Sequence, residues 1–166
     1  VGIRSPHLLI VTSVKRPGAI ARCLATGELV CSTLDGLFAG GTRRRTTNDP
    51  LLLILYPSRE EYAQESARSG ISTEWTAGHY SPSEELARLF LPDDDAAFEE
   101  VSRTFIHELT HQWIDQLCPY FAASERDLGS GTPGYWIVEG FATFVENLAF
   151  DTRRGRWEFD PLASPM

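Results

Sequence analysis

The stretch from Ala96 to Leu117, AAFEEVSRTFIHELTHQWIDQL, decides the fold. Its apolar residues recur at helical spacing. The preceding run Pro92–Asp95 is a typical helix start, because acidic side chains suit the positive end of a helix dipole. The sequence therefore predicts one long helix that stops at Cys118-Pro119. Its apolar side chains predict a buried face, and they are Phe105, Ile106, Leu109, Trp113 and Ile114.

The motif His107-Glu108-Leu109-Thr110-His111 lies inside this predicted helix. Residues four apart differ by about 40° around a helix axis and by about 6 Å along it, so both imidazoles can meet one ion. Glu108 lies on the flank of that face, where its carboxylate can reach a water molecule. Zinc accepts two imidazoles and a carboxylate with a fourth position open. The motif predicts one Zn²⁺ per chain; the alternative is a histidine pair satisfied by protein hydrogen bonds.

The third ligand must come from elsewhere in the chain. A third His six residues after the second is one known arrangement, but that position is Leu117. Glu139 is a better candidate, because a carboxylate buried in an apolar segment needs a partner. We therefore predict His107, His111 and Glu139 as the metal ligands, with a surface glutamate on an amphipathic helix as the alternative. The apolar neighbours of Glu139 are Trp136, Ile137, Val138, Phe141 and Phe144.

Two further carboxylates are candidates for contacts with the metal-binding imidazoles. Glu146 lies two turns after Glu139 on the same helix face, so it could accept a hydrogen bond from an imidazole. It could also be the third ligand itself if Glu139 faces away. Asp115, four residues past His111, is a second candidate of the supporting kind, with a solvated surface position as the alternative.

The order of predicted elements indicates an α+β domain: a mixed sheet with a terminal hairpin packed on helices, then the zinc-binding helix and a glutamate-bearing helix. We predict a single domain over residues 1–166, with an N-terminal α/β part over 1–94, a two-helix zinc-binding part over 95–150 and an irregular tail over 151–166. The other predicted elements are strands His7–Val14 and Leu51–Tyr56 (the latter buried on both faces), helices Ala19–Phe38, Ser58–Arg68 and Tyr135–Phe150, and a hairpin of Ile71–Tyr80 and Leu86–Leu91.

Composition limits the partners. The chain of 166 residues has a net charge of -8, which argues against nucleic acid. The basic clusters Arg43–Arg45 and Arg153–Arg156 are predicted to be solvated loop charge. The longest apolar run, Leu51–Leu55, is far short of the ~20 residues that span a bilayer, so no membrane span is predicted.

The cysteines and the start of the chain leave the compartment open. Cys23 and Cys31 fall eight residues apart in a predicted helix, roughly 12 Å along its axis, which is too far for a disulfide. At most one of them pairs with Cys118, and three buried thiols are the alternative. No signal-peptide pattern precedes His7, and a chain that begins at Val1 could be a mature form or an excised domain. A secreted or cell-envelope protein is slightly favoured.

The two motifs together resemble the gluzincin clan of zinc metallopeptidases, which includes thermolysin. The resemblance rests on His107–His111 as H-E-x-x-H and on Trp136–Ala142 as W-x-x-E-G-x-A, whose glutamate lies 28 residues after the second His. More closely, the chain resembles bacterial peptidase-MA-like domains. In those domains a strand, a helix and a G-x-Y hairpin precede the zinc helix, as do Leu51–Tyr56, Ser58–Arg68 and Gly78–Tyr80 here.

The resemblance implies a compact, thermolysin-like catalytic core that hydrolyses peptide bonds in a peptide or protein substrate. It implies that His107, His111 and Glu139 bind zinc, which activates water, and that Glu108 is the general base and then the acid. It also implies that the strand before the zinc helix, Leu86–Leu91, binds a substrate backbone by strand addition.

One departure concerns the group that stabilises the transition-state oxyanion. Gluzincins place a Tyr or His after the glutamate ligand, and neither follows Glu139. Tyr135, Tyr80 and His79 are the candidate donors. Tyr120, an arginine after the last helix, or a residue outside this segment are alternatives.

The departure keeps two other functions open. One is a catalytically inactive zinc-binding module that recognises peptides on the same scaffold, and the other is a structural domain without metal. Neither cleavage specificity nor oligomeric state follows from the sequence.

Overall fold

The structure is a computed structural model that describes residues 1–38, 50–73, 76–93, 95–117, 135–151 and 156–159. The α+β class and the mixed sheet predicted from the sequence are confirmed. The helices of the described ranges are α1 (Pro17–Leu37), α2 (Arg59–Arg68), α3 (Asp95–Leu117) and α4 (Tyr135–Glu146). The strands are β1 (Gly2–Arg4), β2 (Leu8–Thr12), β3 (Leu51–Tyr56), β4 (Gly78–Ser81), β5 (Leu86–Phe90), β6 (Leu148–Asp151) and β7 (Arg156–Phe159).

The main sheet has five strands in the order β1-β2-β3-β5-β4. The three central strands β2, β3 and β5 run parallel, and the flanking strands β1 and β4 run antiparallel to their neighbours. The predicted hairpin is therefore present as β4 and β5, although its first strand starts at Gly78 rather than Ile71. Strand β1 was not predicted, because three residues carry too little alternation to be recognised.

Helices α1 and α3 cover one face of the sheet and form the core with it. The prediction that β3 is buried on both faces is wrong: Leu51, Leu53 and Leu55 are buried, but Leu52 and Ile54 are only half-buried. The physical reason is that the opposite face is covered by the ten-residue α2. The buried ring of Tyr62 on α2 contacts the rings of Tyr56 and Phe90 there.

Helix ends follow the local chemistry of their caps. The Ser58 side chain accepts a hydrogen bond from the Glu61 amide, which is the predicted cap of α2. Helix α4 ends at Glu146, four residues earlier than predicted. There the Asn147 side chain donates to the Thr143 carbonyl at 2.7 Å, satisfying a carbonyl of the last turn.

The tail over 151–166 was predicted to be irregular, but part of it forms a strand. Strand β6 pairs with β7 antiparallel, from Leu148 opposite Phe159 to Asp151 opposite Arg156. Two strands of four residues each are too short for their alternation to stand out in the sequence, and their pairing is non-local information.

Cys23 and Cys31 are buried and free, so the prediction that they do not pair with each other is confirmed. Burial raises the pKa of the Cys23 thiol to about 11. The predictions for Arg43–Arg45, Cys118, Tyr120 and Arg153–Arg154 lie outside the described residues. Of the helices that the structure describes, none has the length and apolar character to cross a membrane.

Gly27 permits the close approach of α1 to the sheet and to α3. A Cβ atom there would lie 2.4 Å from Leu8 Cδ1 and 3.0 Å from Phe105 Cζ. We expect Gly27→Ala to lower the free energy of unfolding by about 1–3 kcal/mol through overpacking, although alanine is the better helix former. Urea denaturation monitored by circular dichroism measures the change.

Gly36 provides the matched control on the same helix. No atom lies within 4 Å of a Cβ added there, and the position is exposed. Gly36→Ala should leave stability unchanged or raise it by up to about 1 kcal/mol. A Gly27→Ala protein as stable as wild type would contradict the tight packing.

Candidate metal centre

Helices α3 and α4 bring the three predicted ligands together. His107 Nε2 and His111 Nε2 lie 3.0 Å apart on α3. Glu139 on α4 faces both: its Oε2 is 3.3 Å from His107 Nε2 and its Oε1 is 3.5 Å from His111 Nε2. Glu139 therefore faces the histidines, and the alternative of a surface glutamate that faces away from them is wrong.

The donor atoms of these residues lie close enough to share one ion. The two separations from Glu139 involve different carboxylate oxygens. One ligand atom from each of the three residues lies within 4.8 Å of the other two. Among the described residues, His107, His111 and Glu139 form the one group with the spacing to hold a metal ion. The donor set, two imidazoles and a carboxylate, is of the chemical kind that zinc accepts.

The charges of the site favour the ionised carboxylate. Hydrogen bonds from His107 and His111 hold the pKa of Glu139 well below its usual range. Burial by itself would lower the pKa of His107, but its hydrogen bond with Glu139 and the charge of Glu108 raise that pKa above its ordinary value. An ionised Glu139 is the form that ligates a metal, and a metal must displace any proton held on the imidazoles.

Glu146 occupies the supporting position that its spacing predicts. Its Oε2 lies 2.9 Å from His107 Nδ1, the ring nitrogen that does not face Glu139. A carboxylate on Nδ1 fixes the orientation of the ring and leaves Nε2 as the ligating atom. The contact of Glu146 is therefore the one expected of a support for His107, and Glu139 lies where a third ligand could be.

Glu108 lies beside the two histidines and is anchored to the sheet. Its Oε2 accepts a hydrogen bond of 2.7 Å from the Tyr80 amide of β4. Burial raises the pKa of Glu108 above its ordinary value, although the neighbouring charges of His111 and His107 oppose that shift. A carboxylate with a raised pKa is better matched to accepting a proton near neutral pH.

The ligands and Glu108 open onto one cleft of about 350 Å³. Strand β4 and the turn after it form one wall, and helices α3 and α4 form the others. A cleft of this size admits a few side chains of a ligand rather than a whole folded domain. Its lining residues are Tyr80, Pro82, His107, Glu108, His111, Tyr135, Val138 and Glu139.

The three candidate oxyanion donors end in different places. Tyr135 lines the cleft near Glu139, and burial and the neighbouring Glu139 carboxylate raise the pKa of its hydroxyl. Tyr80 also lines the cleft, but its hydroxyl donates to Asp115 Oδ2 at 2.6 Å. His79 points to the other face of the sheet, where its Nδ1 lies 2.9 Å from the Tyr62 hydroxyl, and burial lowers its pKa to about 4. Only Tyr135 and Tyr80 therefore border the cleft.

The expectation that Leu86–Leu91 binds a substrate by strand addition is wrong. Strand β5 from that segment pairs with β3 on one side and with β4 on the other, so both of its edges are used. The strand that ends the sheet next to the cleft is β4. A substrate strand would have to lie along β4 instead.

Sequence reasoning missed the residues that attach the hairpin to α3. Asp115 is 3% exposed and bonded to Tyr80, so the alternative of a solvated surface residue is wrong. Gln112 was not singled out, yet its Nε2 donates to the carbonyls of Leu52 at 3.0 Å and Glu85 at 3.2 Å. The available signal was the spacing of 108, 112 and 115, which places three polar side chains on one helix face.

Comparison with known proteins does not assign the chain to a family. The chain matches no protein-family model, and no curated protein matches it significantly. The geometry of the site therefore carries the functional argument.

Metal content tests the ligand set. We expect about one zinc per purified wild-type chain, measured by plasma mass spectrometry, and loss of most of it in Glu139→Ala. Glu146→Gln keeps the three ligands and should retain zinc, with an affinity about 10- to 100-fold weaker in competition with a chelator. Zinc retained at wild-type affinity in Glu139→Ala would assign the third ligand to another residue. A chain that takes up no zinc would leave a histidine pair with a structural role.

Proposed function

We propose that this chain is a zinc-dependent peptidase whose catalytic centre and core resemble those of the gluzincins. The observation that carries the proposal is the convergence of His107, His111 and Glu139, with separations of 3.0–3.5 Å, beside Glu108 in one cleft. A ligand set with an acidic group next to it is typical of hydrolytic zinc sites and unusual in structural ones, which close the fourth position.

Zinc, when bound by His107, His111 and Glu139, supplies a Lewis acid that activates water and polarises a carbonyl. The chain supplies the rest of the chemistry. Glu108 accepts a proton from the attacking water as the C–O bond forms. It then returns that proton to the nitrogen of the leaving amine as the C–N bond breaks. Its raised pKa suits both transfers.

Tyr135 is the residue that we assign to the oxyanion. It borders the cleft one helical turn before Glu139, on the same helix as that carboxylate. The Tyr80 hydroxyl is held by the buried Asp115, so it is committed to another acceptor. A phenol aimed at the developing negative charge stabilises it without a proton transfer.

An extended peptide is the substrate shape that the cleft favours. Strand β4 is the last strand of the five-stranded sheet on the side of the cleft, and Tyr80 and Pro82 belong to the lining. A strand at the end of a sheet can offer main-chain groups to another chain in extended conformation. In β4 the Tyr80 amide is bonded to Glu108 and the Gly78 main chain to the Thr76 hydroxyl, so an incoming chain would exchange its own groups for these contacts. A polypeptide in extended conformation presents carbonyls and amides alternately along its backbone, as pairing with a strand requires.

A zinc-binding module that recognises peptides without cleaving them is the second candidate. The sequence feature in its favour is that residues 140–166, which follow Glu139, contain no Tyr or His. Both candidates bind zinc and an extended peptide, so only turnover separates them.

Replacement of the general base tests for turnover. We expect the zinc-loaded wild type to cleave members of a quenched fluorogenic peptide library, with products identified by mass spectrometry. Glu108→Gln should lower kcat/KM by about 10²- to 10⁴-fold and keep its zinc. Glu60→Gln changes an exposed glutamate on α2 and should behave as wild type. Zinc-loaded wild type that binds peptides but cleaves none would favour the recognition module.

Tyr135→Phe tests the oxyanion assignment. Removal of one oxyanion donor typically costs about 10²- to 10³-fold in kcat, and KM should change little because the donor acts in the transition state. Tyr56→Phe is the control: it removes a hydroxyl from the opposite face of the sheet. Equal activity in Tyr135→Phe and wild type would transfer the role to another group.

A further inference from the structure

Helix α3 contacts the β4–β5 hairpin through a row of polar side chains that adjoins the metal ligands. The row lies at spacings of four, seven and eight residues from its first member, so its members share one side of the helix. Each makes a hydrogen bond to the hairpin or to the turn that closes it. The row consists of Glu108, Gln112, Asp115 and Gln116.

Tyr80 is held by α3 at two points. Its amide donates to Glu108 Oε2 at 2.7 Å, and its hydroxyl donates to Asp115 Oδ2 at 2.6 Å. The second bond has the length expected for a hydroxyl on a carboxylate, which is among the stronger hydrogen bonds in proteins. Because Asp115 is 3% exposed, water competes little for that contact.

The turn of the hairpin is held separately. Glu85 adopts a φ of 51°, in the left-handed region. Its carbonyl accepts hydrogen bonds of 3.2 Å from both Gln112 Nε2 and Gln116 Nε2. Gln112 is fully buried and also bonds the Leu52 carbonyl of β3, so the turn cannot move along α3 without breaking buried hydrogen bonds.

The Tyr80 amide has an unusual partner for its position. Strand β4 ends the sheet, and an amide that points out of such an edge ordinarily bonds to water. Here the amide donates to the carboxylate that we assign as the general base. The contact occupies one carboxylate oxygen and leaves the other to receive the proton.

We propose that Tyr80 is a positioning residue for Glu108. The hydrogen bond from its hydroxyl to Asp115 holds β4 against α3, and this places the Tyr80 amide on Oε2 of the catalytic carboxylate. The inference rests on the proposed function in that it treats Glu108 as the base. The hydrogen-bonded geometry does not depend on turnover and can be tested without it.

The test compares Tyr80→Phe and Asp115→Asn with wild type, all as the full zinc-loaded chain. Tyr56→Phe is the control, because it removes a hydroxyl from β3 on the face away from α3. The first measurement is amide hydrogen exchange at residue 80 by NMR. We expect exchange at least about 10-fold faster in both variants and unchanged in the control, because an anchored amide is protected and a released edge amide is not.

The second measurement is steady-state cleavage of a fluorogenic peptide. We expect kcat to fall about 10- to 100-fold in both variants, with KM within about 3-fold of wild type and one zinc retained, since a misplaced base impairs the chemical step. Asp115→Asn keeps the size of Asp115 but replaces a charged acceptor with a neutral one, which weakens the bond from Tyr80 without removing it. Both the rise in exchange rate and the fall in kcat should therefore lie at the lower end of these ranges for Asp115→Asn and be larger for Tyr80→Phe.

The outcomes separate this inference from the proposed function. Wild type that cleaves no peptide would refute the peptidase, while slow exchange at residue 80 that is lost in both variants would still support the placement of Glu108. Exchange that stays at the wild-type rate in both variants would overturn the positioning role, whatever happens to kcat. Unfolding or zinc loss in both variants would assign Tyr80 and Asp115 a structural role and would overturn it as well.

Discussion

The burial of one face of α3 against the sheet is the constraint on which the rest of the structure depends. Phe105, Leu109 and Trp113 are almost completely buried and set the rotation of the helix about its axis. Once that rotation is set, a helix with 100° per residue directs His107 and His111 toward α4 and directs Glu108 and its row toward the hairpin. Helix α3 thus makes three kinds of contact on different sides, and its apolar packing determines the direction of the other two.

The charges around the histidines would favour a bound cation. Three carboxylates surround two imidazoles: Glu139 and Glu146 contact His107 directly, and Glu108 lies close enough for its charge to act on the same ring. Like charges this close disfavour one another, and Glu139 contributes to the raised pKa of Glu108. A divalent ion held by the imidazoles and Glu139 would offset this excess of negative charge. Histidine protonation can offset it too, but only at lower pH.

The features that could be predicted from the sequence were those that depend on a local, repeating pattern of residues. The period of 3.6 residues defined α3 and the face of its two histidines, and Ser58 with Glu61 marked the start of α2. Strand order could not be predicted, because β5 lies between β3 and β4 through contacts that are far apart in the chain. For that reason Leu86–Leu91 was assigned a free edge that belongs to β4.

Side-chain partners across elements were predictable only where chemistry left few choices. Glu139 was predicted as a ligand because it was expected to be buried among apolar side chains. It does meet the histidines, but that expectation of burial was wrong: Glu139 is one-third exposed, and Trp136 and Phe144 beside it are exposed. Asp115 lies in an ordinary polar context in sequence, and its burial depends on the Tyr80 hydroxyl arriving from a strand 35 residues away. Non-local pairing of this kind leaves no periodic trace.

The attachments of α3 also differ in how they would respond to a metal. The contact between α3 and α4 combines apolar packing, with Val138, Ala142 and Val145 buried on α4, and the Glu139 ion pairs. Coordination would replace those ion pairs with stronger bonds to the same atoms and tighten this interface. The hairpin contact uses none of the ligating atoms, so it would persist through metal binding. In the proposed enzyme the sheet would hold Glu108 in place while the ion draws the three ligands together.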